Sequence, residues 1–479
     1  MSNIDIEQIC NVQKSIVIEA HNARGQFIDD IEKVLAEILR RKNYQNLYTS
    51  LMYVIHEIVA NANKANIKRV FFAENELNIN DQDDYSKGIA EFSKMVRDDT
   101  YNVGSKLAKY NKFVKFVIHE FSGLNFSLSV VNNSPLTNEE KIRIREKLKR
   151  VVTDSFSEEI IDTTEGAGMG LFLSLKLLEQ SGIPHSALKI VTDKEKTSVN
   201  IFFNYNSVSS PPYHEIALEI LNEAGELPRL PESLNKILEL TSNKDIEISK
   251  VADYIEKDPS ITADILKLVN SAQFTLNRKI GAIKEAINFI GLSGLRSLLY
   301  SYGAMKAIDN RFGTIPEIWD HCYKTAKISV LISQIKKISD KSDDFFTAGL
   351  LHDMGKIVLM NLDKDSANKI EKACQLREIN LPVMEEIMMG LSHARIGGEI
   401  ANLWDFPIEL SEAIMYHHDP IMTTDEYKPI VYTVYLANIF ANIQNIENID
   451  MLMIEPIVRD YFNIENTDEL KEIAAKVLS

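Results

Sequence analysis

Two adjacent prolines, Pro211 and Pro212, close the Ser-rich stretch Asn206-Ser-Val-Ser-Ser and divide the chain. A proline pair fits neither a helix interior nor a central strand, because each ring fixes φ and removes a backbone donor. The residue pattern changes character across them. Before the pair, helical patterns over 31–39 and 47–65 are followed by strand-like runs at 67–72, 113–119, 126–132 and 198–205. After it nearly every segment has helical spacing. Asp258-Pro259, for example, sets a cap and a first-turn proline ahead of the stripe Ile261, Ile265, Leu268 and Val269. With 479 residues the chain exceeds one ordinary core. The expected organisation is a mixed α/β domain over 1–206, a Ser/Pro linker over 207–212 and an all-helical domain over 213–479.

Charge and cysteine content narrow the function classes. A net charge of −16 argues against non-specific binding to nucleic acid or an anionic membrane surface. Three widely spaced cysteines, Cys10, Cys322 and Cys374, offer neither a disulfide framework nor a CxxC knuckle, which points to a reducing compartment. The N-terminus lacks a basic stretch followed by an apolar one, and no apolar run approaches the ~18 residues of a membrane span. The expected location is the cytoplasm.

In the first half, Leu51, Val54, Ile55, Ile58, Val59 and Ala62 make an apolar helix face, and Glu57 and Asn61 stack one turn apart on another. A carboxylate and a carboxamide so placed can position a water and a hard cation such as Mg²⁺. Alone, the pair reads equally as a solvated helix face. Further on, Gly166-Ala-Gly-Met-Gly170 opens a helical run, a combination that lets backbone N–H groups approach phosphate. No alternating strand leads directly into it, so it is not the dinucleotide-binding fingerprint. Together these motifs resemble the histidine-kinase-like (GHKL) ATPase superfamily. The resemblance implies an α/β sandwich binding ATP with Mg²⁺, with Glu57 as the water-orienting acid and Asn61 as the Mg²⁺ ligand. Lys64 would contact phosphate, and Gly166, Gly168 and Gly170 would form the phosphate turn. The family's adenine-binding Asp is replaced by Asn, assigned to Asn133. The basic run 141–150 would be the lid. Neither His21 nor His56 sits in a phospho-acceptor helix pair.

In the second half, five of the ten histidines fall between His321 and His418. Imidazoles and carboxylates converging from several helices suit a transition metal, although each histidine alone reads as a hydrogen-bonded core residue. Asp258-Pro259, Trp319-Asp-His321, Leu351-His-Asp-Met-Gly-Lys356, His393-Ala-Arg-Ile-Gly397 and His417-His-Asp-Pro420 occur in order. They resemble the HDOD domains, a signalling branch of the HD phosphohydrolase superfamily, with the core at about 220–445. The resemblance implies metal ligands at His321, His352 and Asp353, with Asn438 where an Asp is usual. His393, His417 and His418 match histidines that hold further metals in related cyclic-dinucleotide phosphodiesterases.

The combined expectation is a cytoplasmic signalling protein in which ATP binding is coupled to a regulatory HDOD domain that contacts a partner protein. The alternative is a metal-dependent phosphohydrolase or cyclic-dinucleotide phosphodiesterase regulated by the first domain. ATP hydrolysis and a homodimer both stay open.

Overall fold

The computed structural model describes residues 15–97, 103–122, 125–153, 169–204, 222–223, 225–227, 230–242, 246–269, 280–338, 342–362, 367, 370, 374 and 380–478. Gly166, Gly168 and the 207–212 linker lie outside them. The chain forms two compact units, residues 1–214 with 373–390, and residues 215–372 with 391–479.

Unit 1 follows the order β1 (Ser15–Ala20), α1 (Gln26–Lys42), α2 (Tyr48–Glu74), α3 (Gln82–Arg97), α4 (Val103–Lys109), β2 (Val114–Ser122), β3 (Asn125–Asn132), α5 (Asn138–Thr153), α6 (Met169–Gln180), β4 (Leu188–Thr192) and β5 (Thr197–Asn204). The strands form one antiparallel sheet ordered β1-β2-β3-β5-β4. Alternation sets the faces: Phe126, Leu128, Val130 and Asn132 of β3 are all buried.

The run 67–72, expected as a strand, is the last third of α2. No Gly or Pro interrupts the helix, and Ile67, Val70 and Phe71 continue its i, i+3, i+4 stripe. Buried Phe72 makes the segment look continuous because a second apolar layer covers it. Tyr85 and Phe92 of α3 and Leu107 of α4 complete that cluster. The basic run 141–150 lies in α5, which begins with a capping box. Thr137 Oγ1 accepts from Glu140 N at 3.2 Å, and Glu140 Oε2 accepts from Thr137 N at 3.0 Å. Glu140 also pairs with Lys68 and, at 2.6 Å, with Arg69, tying the helix start to α2. Burial alone would raise the Glu140 carboxyl. The bonds from Arg69 and Lys68 outweigh it and hold the group at about 2.

Unit 2 is helical among its described residues: α7 (Glu232–Ser242), α8 (Ile248–Ile255), α9 (Pro259–Val269), α10 (Ile283–Phe312), α11 (Pro316–Ile335), α12 (Ser342–Leu351) and α13 (Met354–Leu362), then α15 (His393–Leu403), α16 (Ile408–Tyr416), α17 (Lys428–Asn442), α18 (Pro456–Phe462) and α19 (Thr467–Leu478). The helix between, α14 (Leu381–Met389), belongs to unit 1, where it packs on α2 and α6. Ser50 Oγ donates to Glu386 Oε2 there at 2.9 Å. No helix among the described residues is long and apolar enough to cross a membrane.

Candidate metal centre and ligand cavity

The polar ligands of unit 2 sit at helix ends and on two helix faces. His352 and Asp353 form the turn between α12 and α13, His393 opens α15, and His417-His418 follows the last residue of α16. His321 comes from α11 and Asn438 from α17. Glycine lets these ends meet. A Cβ on Gly355 would fall 2.1 Å from the His393 carbonyl oxygen and 2.6 Å from Gly397 N, so only glycine allows α13 and α15 to touch there.

Asp353 is the hub. Its Oδ2 lies 3.6 Å from His321 Nε2 and 3.5 Å from His352 Nε2. Its Oδ1 lies 3.1 Å from His393 Nε2 and 3.5 Å from His417 Nε2. His418 Nε2 is 3.1 Å from His393 Nε2. Two ligand groups result, His321-His352-Asp353 and Asp353-His393-His417-His418, each with ligand atoms within 4.8 Å of one another. They share one carboxylate.

Tautomer chemistry tests whether a cation fits. The carbonyl of Gly349 can only accept, so the His352 Nδ1 at 2.8 Å carries the proton and Nε2 is a bare lone pair. The carbonyl of Ile414 does the same to His417 Nδ1 at 2.7 Å. Both lone pairs then point at an acceptor, the Asp353 carboxylate. His352 Nε2 is buried with no hydrogen-bond partner. His393 Nε2, 3.3 Å from His417 Nε2, can carry a proton, whereas the bare His352 Nε2 beside the carboxylate suits a divalent cation held by neutral imidazole and carboxylate. The residues present fit the metal.

Electrostatics agree. Burial pushes the His352 imidazole down to about 3, and burial also lowers His321 and His418. Burial alone would raise Asp353, but the imidazoles and the Lys356 ammonium hold it well below the usual carboxylate range. A depressed histidine contributes stability that is fully present above its ordinary value of 6.5 and is lost as pH falls toward its folded value of about 3. Asp353 adds a loss of the same sign at lower pH. In EDTA-treated protein, stability should therefore decline below about pH 6.5, by up to ~1.4 kcal/mol per pH unit for His352. Urea-unfolding midpoints measured from pH 7 to 5 check this. A flat profile would contradict a buried neutral His352.

Asn438 departs from an anionic ligand. Its Oδ1 lies 3.0 Å from His321 Nε2 and accepts from Asn442 Nδ2 at 3.2 Å. A metal at His321 would have to displace that hydrogen bond. It would gain no charge from Asn438.

Unit 1 contains a cavity of about 640 Å³ lined by Glu57, Asn61, Lys64, Gly170 and the sheet end. It lies within the size range of small-molecule pockets. Asn61 Nδ2 donates to Glu57 Oε2 at 3.2 Å. A Cβ on Gly170 would land 2.1 Å from the Glu57 carboxyl carbon, so the start of α6 lies directly against that acid. Asn133 is not placed as expected. It accepts from Phe113 N at 3.0 Å and donates to the Asn111 carbonyl at 2.7 Å. Asn132 lines the cavity instead. The period-two alternation of β3 carried that signal, since Asn132 continues the face of Phe126, Leu128 and Val130. Sequence reasoning also missed Lys68, Tyr85 and Thr197, which line the cavity together with Arg143 of the 141–150 run.

Residues 227–420 match the HDOD domain family, so the chain contains an HDOD domain, which takes in most of unit 2 and residues 373–390 of unit 1. The match ends before Asn438. An uncharacterised protein of Treponema pallidum is 27% identical over 457 residues, covering 95% of this chain and 88% of that protein. The uncharacterised protein YuxH of Bacillus subtilis is 34% identical over 68 residues, 14% of this chain and 17% of its own length. A crystal structure of an HDOD domain protein with unknown function from Geobacter sulfurreducens aligns at 23% identity with a TM-score of 0.44, covering 55% of this chain and 96% of that one.

Proposed function

We propose that this chain is a nucleotide-responsive signalling protein whose HDOD domain carries a metal-dependent phosphohydrolase centre. The observation that carries the reading is Asp353, whose two oxygens face separate groups of imidazoles, two of them with bare lone pairs. Shared-carboxylate arrangements suit paired divalent ions. Such ions would polarise a phosphoryl oxygen and acidify a water.

The protein's own contribution is positional. The Gly349 and Ile414 carbonyls fix the ring orientation of His352 and His417. Lys356 sits close enough for its charge to act on both His321 and Asp353, so it would meet a substrate phosphate. Neutral Asn438 leaves the first group with three strong ligands, which suits a centre that needs an open position.

In unit 1, Glu57 would orient water, Asn61 would hold Mg²⁺, and Lys64, Lys68 and Arg143 would meet the phosphates of ATP. The supporting observation is that all five line one cavity. ATP binding would then bias the HDOD domain toward or away from its partner protein. Whether ATP is turned over depends on Glu57.

The test uses the full-length chain purified with Mn²⁺ or Fe²⁺, with metal analysis and a panel of phosphate monoesters and cyclic dinucleotides. The expected result is close to two ions per chain and a hydrolytic activity that His352→Ala removes. Substoichiometric metal without turnover would favour the purely regulatory reading, in which the imidazoles are a retained polar network.

A further inference from the structure

Helix α3 walls the unit 1 cavity with Tyr85, Ile89 and Phe92, spaced i, i+4 and i+7. It is seated closely on α2. A Cβ on Gly88 would fall 2.6 Å from Phe72 Cζ, and the Tyr85 ring centroid stands 6.0 Å from that of Phe72. Tyr85 is only 7% exposed, yet its hydroxyl has no hydrogen-bond partner among the described residues. A buried hydroxyl left unpaired costs free energy, and native folds rarely carry one without a use.

The surroundings of that ring are cationic. Lys68 Nζ on α2 and the Arg143 guanidinium carbon on α5 each lie 5.8 Å from its centroid. The acid beside them, Glu140, already accepts from both Lys68 and Arg69. Burial lowers the Lys68 ammonium, Glu140 only partly offsets this, and Arg69 and Arg143 push the same way as burial. One carboxylate therefore faces three cations. Positive charge is left over where the unpaired hydroxyl stands.

We propose that Tyr85 is a ligand-binding residue of this cavity, whose hydroxyl donates to a phosphoryl oxygen drawn in by Lys68 and Arg143. The inference rests on the nucleotide reading given above and adds a contact from a helix which that reading leaves out. Apart from Glu140, each of these polar side chains can donate. Donors with surplus positive charge are best met by an anion with several oxygens. A phosphoryl group has them, and can take one bond from each of α2, α3 and α5.

Calorimetric titration of the full-length chain and of Tyr85→Phe tests the proposal, with ATP and with inorganic tripolyphosphate, both with Mg²⁺. Tripolyphosphate has neither base nor sugar. The variant is expected to bind both probes about tenfold more weakly, the worth of one charge-assisted hydrogen bond. Without ligand, it should melt at or above the wild-type temperature, because phenylalanine removes a hydroxyl that has no partner. Arg143→Gln, a change at an exposed position, should weaken both probes in the same way. A variant that binds both probes as the wild type does overturns the role of Tyr85. A loss confined to ATP, or a wild type that binds ATP and not tripolyphosphate, places the contact on base or sugar and overturns the phosphoryl assignment. A lower melting temperature for ligand-free Tyr85→Phe shows that the hydroxyl is already paired, which overturns the premise. Tripolyphosphate binding that depends on Tyr85, without ATP binding, removes the nucleotide reading and leaves this subsite standing. Binding of neither probe by the wild type overturns both.

Discussion

Asp353→Asn should empty both halves of the metal centre in one step and lower any hydrolytic rate at least about a hundredfold. Each ligand group uses one oxygen of this carboxylate, and each would lose its anionic ligand. The metal-free protein should respond differently. An amide nitrogen at position 353 can donate to one of the two lone pairs, that of His352 facing Oδ2 or that of His417 facing Oδ1, so stability in EDTA should fall far less than metal content. Metal analysis and a metal-free melt on the same preparation separate the two effects. Retention of one tightly bound ion by the variant would show that the two groups act independently and would remove the shared role assigned to Asp353.

Gly355→Ala should be the most damaging substitution outside the ligands. The added methyl would meet backbone on two sides, the His393 carbonyl oxygen at 2.1 Å and Gly397 N at 2.6 Å, and backbone cannot rotate away. Overpacking of this kind costs about 1–3 kcal/mol, and more where nothing yields. Relief requires α13 and α15 to part, which carries Asp353 away from His393, now 3.1 Å apart. The expected outcome is a melting temperature lower by several degrees together with weaker metal binding. Alanine at Gly397 meets mainly the Ile414 side chain, at 2.8 Å, and should cost less. A variant with wild-type melting and metal content would refute the close approach.

Much of this centre was legible in the sequence because five histidines and the His352-Asp353 pair crowd into one helical stretch. What could not be read was that one carboxylate, Asp353, serves both groups. That depends on the crossing of α13 and α15, a long-range contact decided by a missing Cβ at Gly355. The sheet shows the same division. Strands β2, β3 and β5 follow from alternation, whereas 67–72 was misread because burial on two sides hides helical periodicity. The shift from Asn133 to Asn132 is a question of face. Strand register answers it once Val130 is recognised as inward. The hydrogen bond from Asn132 Nδ2 to Asn66 Oδ1 was not readable at all, since it joins residues 66 positions apart.

The placement of α14 bears on how the protein is made. A helix at 381–389 completes a unit whose sheet ends at residue 204. On the ribosome, the first unit is not complete until residue 390 has emerged. By then His321, His352 and Asp353 have left the exit tunnel. Cutting the gene at the proline pair would yield an N-terminal piece with bare surfaces on α2 and α6, and with Ser50 deprived of Glu386. By contact the two units are interleaved along the chain, while residues 227–420 match one domain family as a continuous stretch.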